Sequence, residues 1–218
     1  MDEVKDEKPT RPYRSRVREE SARRTRQAVV TAATELFVAR GYTATSLADV
    51  AAAAGVARPT VFAAFGSKAA LLRQVLDEAL AGDDEPIPVA QRPWYRPVWD
   101  ADSPTAVLDA YADVCTLIGG RTARVFETVR RAADGSSETA EVWQTLLRNR
   151  RFGARMVVER LVTLGPLRQG SDVERAIDEV WFYNDPAHYG ALVHDLGWDE
   201  QTYRGWLARS MRYALLPD

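Results

Sequence analysis

Apolar residues fall at helical spacing along most of the chain. Val29, Ala33, Leu36 and Phe37 mark one stripe of a helix expected over 22–40, with Gly41 as its stop. Leu47, Val50, Ala51 and Ala54 mark a short second helix over 46–53, and Ser46 with Asp49 has the spacing of a capping box. Gly55 supplies a turn and Val56 plugs it into the core. A third helix is expected over 58–65, with Pro59 in its first turn and Val61 and Phe65 inward. That leaves Arg58, Thr60, Phe62 and Ala63 on the outer faces. After Gly66, Ser67 caps a fourth helix to about Ala81, whose inner face carries Leu71, Leu72, Val75 and Ala79.

Residues 82–104 break the pattern, with five prolines and no helical period. They read as a linker. Trp94, Tyr95 and Trp99 are too many large aromatics for a free tether, so the stretch is expected to fold back onto the C-terminal domain. Helical spacing then resumes over 105–118, 121–133, 138–164, 172–183, 186–195 and 199–216, separated by Gly-Gly, Asp-Gly, Gly-Pro and Asn-Asp-Pro signals and by Gly197. No segment alternates as a strand would, so the fold class is all-α. The division expected is an arm over 1–21, a head over 22–81, the linker over 82–104 and a helical domain over 105–218.

Charge sharpens this division. The net charge of −2 announces nothing. Residues 11–68, however, hold ten Arg and Lys against four Asp and Glu, whereas residues 69–218 hold seventeen against twenty-three. A basic N-terminal part on an acidic remainder suits a DNA-reading head on a body that avoids DNA. The arm contributes Arg11, Arg14, Arg16 and Arg18, which could reach a minor groove beside a docked helix.

Enzyme chemistry finds no support. There is no phosphate-binding glycine loop and no nucleophile elbow. His188 and His194 are six residues apart and fall on different helix faces, so no metal site is expected. The single cysteine, Cys115, sits among apolar residues and reads as a buried thiol. No cofactor is called for. No apolar run is long enough to span a bilayer, and the acidic first ten residues lack the apolar core of a signal peptide, so a cytoplasmic protein without a membrane partner is expected.

Two short helices joined at a glycine turn, followed by a capped third, form the pattern that presents one helix to the major groove. Residues 26–80 resemble the DNA-binding domain of the tetracycline-repressor (TetR) family of bacterial transcriptional regulators. The resemblance rests on Ala33, Leu36-Phe37, Gly41-Tyr42, Thr45-Ser46-Leu47, Val50-Ala51, Ala54-Gly55-Val56, Thr60-Val61-Phe62, Phe65, Ser67-Lys68 and Leu71. The stretch from Gly197 to Leu216 is similar to the last helix of many actinobacterial members.

The resemblance implies a double-stranded DNA operator as partner. Arg58, Pro59 and Thr60 would open the recognition helix against base edges, and Ala63 could touch a thymine methyl. Thr45, Ser46 and Lys68 would meet phosphates, although plain helix capping explains Thr45, Ser46 and Ser67 equally well. The chain departs from the family at Ala57, usually Ser, at Phe62, usually Tyr, and near Ala63 and Ala64, where His or Arg is common. The resemblance further implies a homodimer and a small-molecule effector that releases the operator, hence a repressor. The implied interface comprises Val173, Ile177, Val180 and Trp181 with Trp206, Met211 and Leu215; these could instead be ordinary core. The effector, hydrophobic or aromatic, would meet Trp94, Tyr95, Trp99, Tyr111, Phe126, Trp143, Phe152 and Met156. For an anionic group Arg130, Arg150 or Arg155 could serve, with the surface as their expected place. The alternative is a helical dimer that binds a small molecule or protein and no longer reads DNA.

Overall fold

A computed structural model describes residues 11–217; the first ten residues of the expected arm and Asp218 lie outside the described residues. The described residues form ten α-helices and no strand. The first four are α1 (Arg11–Arg40), α2 (Leu47–Ala53), α3 (Arg58–Phe65) and α4 (Lys68–Ala81). Then come α5 (Arg96–Asp100), α6 (Pro104–Ala132), α7 (Ser137–Leu164), α8 (Val173–Tyr183), α9 (Pro186–Tyr189) and α10 (Glu200–Leu215).

Helix α1 begins at Arg11, eleven residues before the expected Ala22, so residues 11–21 are helix rather than loose arm. This stretch has no apolar stripe for a periodicity test to find. It is nonetheless rich in Arg and Glu, good helix formers, and its one proline lies in the first turn, where no amide is lost.

The capping signals are realised. Ser46 and Asp49 form a reciprocal capping box at the start of α2, Ser67 caps α4, and Asp172 and Asp199 cap α8 and α10. Gly55 has φ +67 and Gly66 φ +74, the left-handed region that these two turns require.

Gly119 and Gly120 do not end a helix as expected: α6 runs unbroken through them for 29 residues. Their role is close approach. A Cβ on Gly119 would lie 2.8 Å from the Tyr189 side chain, so the glycine lets α9 sit directly on α6. The helix expected over 186–195 is likewise split into the four residues of α9 and a π-helical turn over 190–195.

Two apolar clusters hold the fold. The first joins Val29, Ala33, Phe37, Val50, Val61, Leu71 and Leu72 from α1–α4 to Val125, Phe126 and Val129 of α6 and Val142 and Leu146 of α7. The core of the head is therefore shared with the body: the C-terminal part of α6 and the N-terminal part of α7 complete it. The second cluster joins α5, the first half of α6, the end of α7, α8 and α10 around Leu108, Leu161, Ile177, Leu207 and Met211.

The proline-rich stretch folds onto this second cluster. Tyr95 stacks on Trp99 with ring centroids 5.1 Å apart, and the Trp99 indole donates to the Ala90 carbonyl at 2.7 Å. Arg92 is buried to 3% exposure and binds Asp83 at 2.6 Å together with the Glu85 and Ile87 carbonyls. The stretch is an ordered strap.

Candidate nucleic-acid interface and ligand cavity

The chain turns through 111° between α2 and α3. Val61 is fully buried and pins the inner face of α3, while Arg58, Pro59, Thr60, Phe62 and Ala63 are exposed. The residues expected at base edges thus share one accessible helix. Its first turn has no side-chain cap: Ala57 offers no hydroxyl, Pro59 has no amide, and the Thr60 amide donates to the Ala57 carbonyl at 2.9 Å. Phe62 is 62% exposed and puts an aromatic ring where a polar surface would be ordinary.

The far end of α3 is held by a residue that sequence reasoning missed. Arg26 of α1 donates to the Ala64 carbonyl at 2.6 Å and lies 4.4 Å over the Phe65 ring. A cation at the C-terminal turn complements the helix dipole. In sequence Arg26 is one basic residue among several, and nothing singles it out.

Two expected phosphate contacts are corrected. Thr45 is 1% exposed, and its hydroxyl donates to the Gly41 carbonyl at 2.9 Å, closing the end of α1. Ser46 is exposed, but its amide and hydroxyl both donate to the Asp49 carboxylate, at 2.8 and 2.6 Å. Those donors are taken, and the carboxylate would repel phosphate. Lys68 stands at the first position of α4, with Nζ 4.1 Å over the Tyr42 ring, and burial lowers its pKa. A cation there opposes the helix dipole, so α4 itself gains nothing from it.

A cavity of about 680 Å³ lies in the body, a size that suits a small molecule. Its walls come from α4, the strap, α6, α7 and the turn after α8. Of the eight residues expected to meet a ligand, Tyr95, Tyr111, Phe126, Phe152 and Met156 line it. Trp94, Trp99 and Trp143 do not. Trp99 backs Tyr95, Trp143 packs edge-on against Phe126 at 5.1 Å, and Trp94 stacks under Arg121 at 5.5 Å. Each of these stands behind or beside the wall rather than on it.

The polar groups of the cavity were largely missed. Arg150, expected on the surface, is 9% exposed. It donates to Asn184 Oδ1 at 3.1 Å and the Trp181 carbonyl at 2.8 Å, and meets Asp185 at 3.0 Å. Asn184 in turn donates to Tyr111 Oη at 3.0 Å. Arg150 thus ties the cavity floor to the end of α8. Cys115 also faces the cavity, and burial pushes its thiol up to about 12. These residues are scattered over three helices and a turn, with no sequence spacing in common.

The implied dimer contacts are corrected as well. Ile177, Val180, Met211 and Leu215 are fully buried within the subunit, so no partner can reach them. Val173 is exposed at 39%, and Trp181 and Trp206 are half-buried. The large apolar groups left open on α8 and α10 are Val173, Phe182 and Tyr213.

An outward helix-turn-helix on an all-α body defines a helix-turn-helix regulator. Residues 29–75 match the model of the bacterial regulatory proteins of the tetR family. The HTH-type transcriptional regulator YdeS of Bacillus subtilis is 26% identical over 184 residues, covering 83% of each chain. Among solved structures, native NalD, the secondary repressor of the MexAB-OprM multidrug efflux pump in Pseudomonas aeruginosa, shares 21% identity with a TM-score of 0.69 over 90% of this chain and 98% of that one. The SmeT–triclosan complex shares 20% identity with a TM-score of 0.68, over 89% and 92%. The match to the tetR family lies in residues 29–75, and the relatives that align along most of the chain are HTH-type transcriptional regulators.

Proposed function

We propose that the protein is a dimeric repressor that leaves a palindromic operator when a small apolar or aromatic effector fills the cavity. The observation that carries this reading is the placement of α4. Its first turn, with Ser67 and Lys68, closes the helix-turn-helix, and Leu76, Asp77 and Leu80 of its second half form a wall of the cavity. A ligand that fits one setting of this wall better than another shifts the heads by its difference in affinity for the two. Arg58, Pro59, Thr60 and Ala63 would read bases and Lys68 would hold phosphate, with two α3 helices about 34–36 Å apart in the dimer. Val173, Phe182 and Tyr213, with Trp181 and Trp206, supply the face for a second copy. NalD is a repressor of an efflux pump and SmeT was solved with triclosan, which fits the same class of function.

A second reading, a helical dimer that binds its ligand and no longer reads DNA, is favoured by the exposed Phe62 and by Ala63 on the outer face of α3. A shift assay on the DNA upstream of its own gene separates the two. A repressor binds this DNA better than random sequence and weakens steeply as salt rises. Equal binding to random DNA at every salt concentration sinks the repressor reading.

A further inference from the structure

Among the described residues, four buried side-chain nitrogen or oxygen atoms make no hydrogen bond: Arg150 Nη1, Arg160 Nε, Glu179 Oε2 and Trp181 Nε1. Of these only Arg150 Nη1 belongs to a residue that lines the cavity. Arg150 is 9% exposed, and its other nitrogens are occupied. Nε donates to Asn184 Oδ1 at 3.1 Å and Nη2 to the Trp181 carbonyl at 2.8 Å. Asp185 Oδ2 lies 3.0 Å from Nη1 and balances its charge. That carboxylate stands off the N–H directions, however, so Nη1 keeps its donors without an acceptor.

The guanidinium is thus held in place by three neighbours and has one nitrogen to spare. Asn184 also donates to Tyr111 Oη at 3.0 Å, so Arg150, Asn184 and Tyr111 make one polar end of the chamber. Tyr95, Val114, Phe126 and Met156 are part of its apolar wall. A buried charged donor is costly to leave unmet, and the side of Arg150 not packed by protein is the chamber.

We propose that the effector carries a neutral acceptor oxygen, a carbonyl, that takes a hydrogen bond from Arg150 Nη1 while its apolar part lies among Tyr95, Phe126 and Met156. This rests on the reading of the cavity as the effector site. A hydrocarbon of the same shape would displace solvent from Nη1 and give no bond in return. A carboxylate would bring a second negative charge beside Asp185, and one buried guanidinium does not balance both.

Three planar probes of one shape separate these cases: 2-acetylnaphthalene, 2-isopropenylnaphthalene and 2-naphthoate. They carry a ketone, an alkene in its place and a carboxylate. Their binding to the full-length protein can be measured by calorimetry, and in parallel by release of bound operator DNA. The ketone is expected to bind about tenfold more tightly than the alkene and than the naphthoate. Arg150→Met should bring the ratio of ketone to alkene affinity to about one. Asp185→Asn, which removes the competing charge, should strengthen naphthoate binding about tenfold. The wild-type ratio needs no variant and decides the matter if Arg150→Met does not fold. If the alkene matches the ketone, or if the ratio survives in Arg150→Met, the carbonyl assignment is overturned and the effector cavity stands. Naphthoate binding tightest to wild type, or no gain for it in Asp185→Asn, overturns the neutral head in the same way. If none of the three binds or releases DNA, the effector reading itself fails and takes the proposal with it.

Discussion

The two ends of α4 meet two differently built regions. At its start lies a head packed from Val29, Ala33, Val50, Ala51, Val61 and other small residues, with Phe37 as its large buried anchor. Along its second half lies a cavity walled by Tyr95, Tyr111, Phe126 and Phe152. The head is filled and its working residues point outward from one short helix. The cavity is unfilled and its working residues converge from segments far apart in the chain. In the head, therefore, aromatic bulk serves packing. In the cavity, Tyr95, Tyr111 and Phe126 are buried members of the two cores as well as wall, and only Phe152 stays open, at 64% exposure.

The comparison can be broken first at the aromatics. Phe37→Ala should cost about 3–5 kcal/mol of stability by emptying a filled core. Phe152→Ala should cost within about 0.5 kcal/mol, because it removes no core contact. Urea unfolding of both variants checks this; equal losses would mean that Phe152 is packing rather than cavity wall.

On the outer face of the head the effects are smaller and concern DNA rather than folding. Arg58→Ala should weaken operator binding by about 1–3 kcal/mol and relax preference at one base pair, with an unchanged melting curve. Binding measured against operator variants tests it, and unaltered specificity would remove Arg58 from the base-reading set. The uncapped turn gives a gain instead: Ala57→Ser should stabilise the protein by about 0.5–1 kcal/mol in a thermal melt. No gain would show that the Thr60 amide keeps its bond to the residue 57 carbonyl and takes no side-chain cap.

The smallest effect near neutral pH is at Cys115. An unfolded thiol ionises near 9.0 and the native one only at about 12. Because the folded pKa is raised, the contribution is complete below pH 9 and is lost as pH climbs from 9 toward 12. Urea midpoints of wild type and Cys115→Ala should therefore converge above pH 9. A constant difference between them would show that the thiol does not titrate on unfolding.

Sequence reading worked where the relevant contacts are local. A capping box spans four positions, a glycine turn one, and the stripe from Val29 to Phe37 less than three turns. It failed where one signal had two physical meanings. Gly119 looks like a helix stop, yet it is a seat for Tyr189. Thr45 looks like an outward hydroxyl, yet it closes α1 from within. The resemblance assigns Ile177 and Met211 to an interface, but a stripe on a helix does not say which neighbour covers it, and here the subunit's own core does. The Arg-rich start of α1 has no stripe at all and escaped notice for that reason.

The chain by itself determined an all-helical protein, the basic head, the position of the helix-turn-helix and the residues α3 turns outward, since propensity, capping and period act over a few residues. Only the tertiary structure decided which apolar stripes are core and which lie open, that α6 and α7 complete the core of the head, and that Arg150 turns inward to Asp185 and Asn184. Those outcomes depend on which helices meet. Such meetings are fixed by packing across the whole molecule, which no short stretch of sequence records.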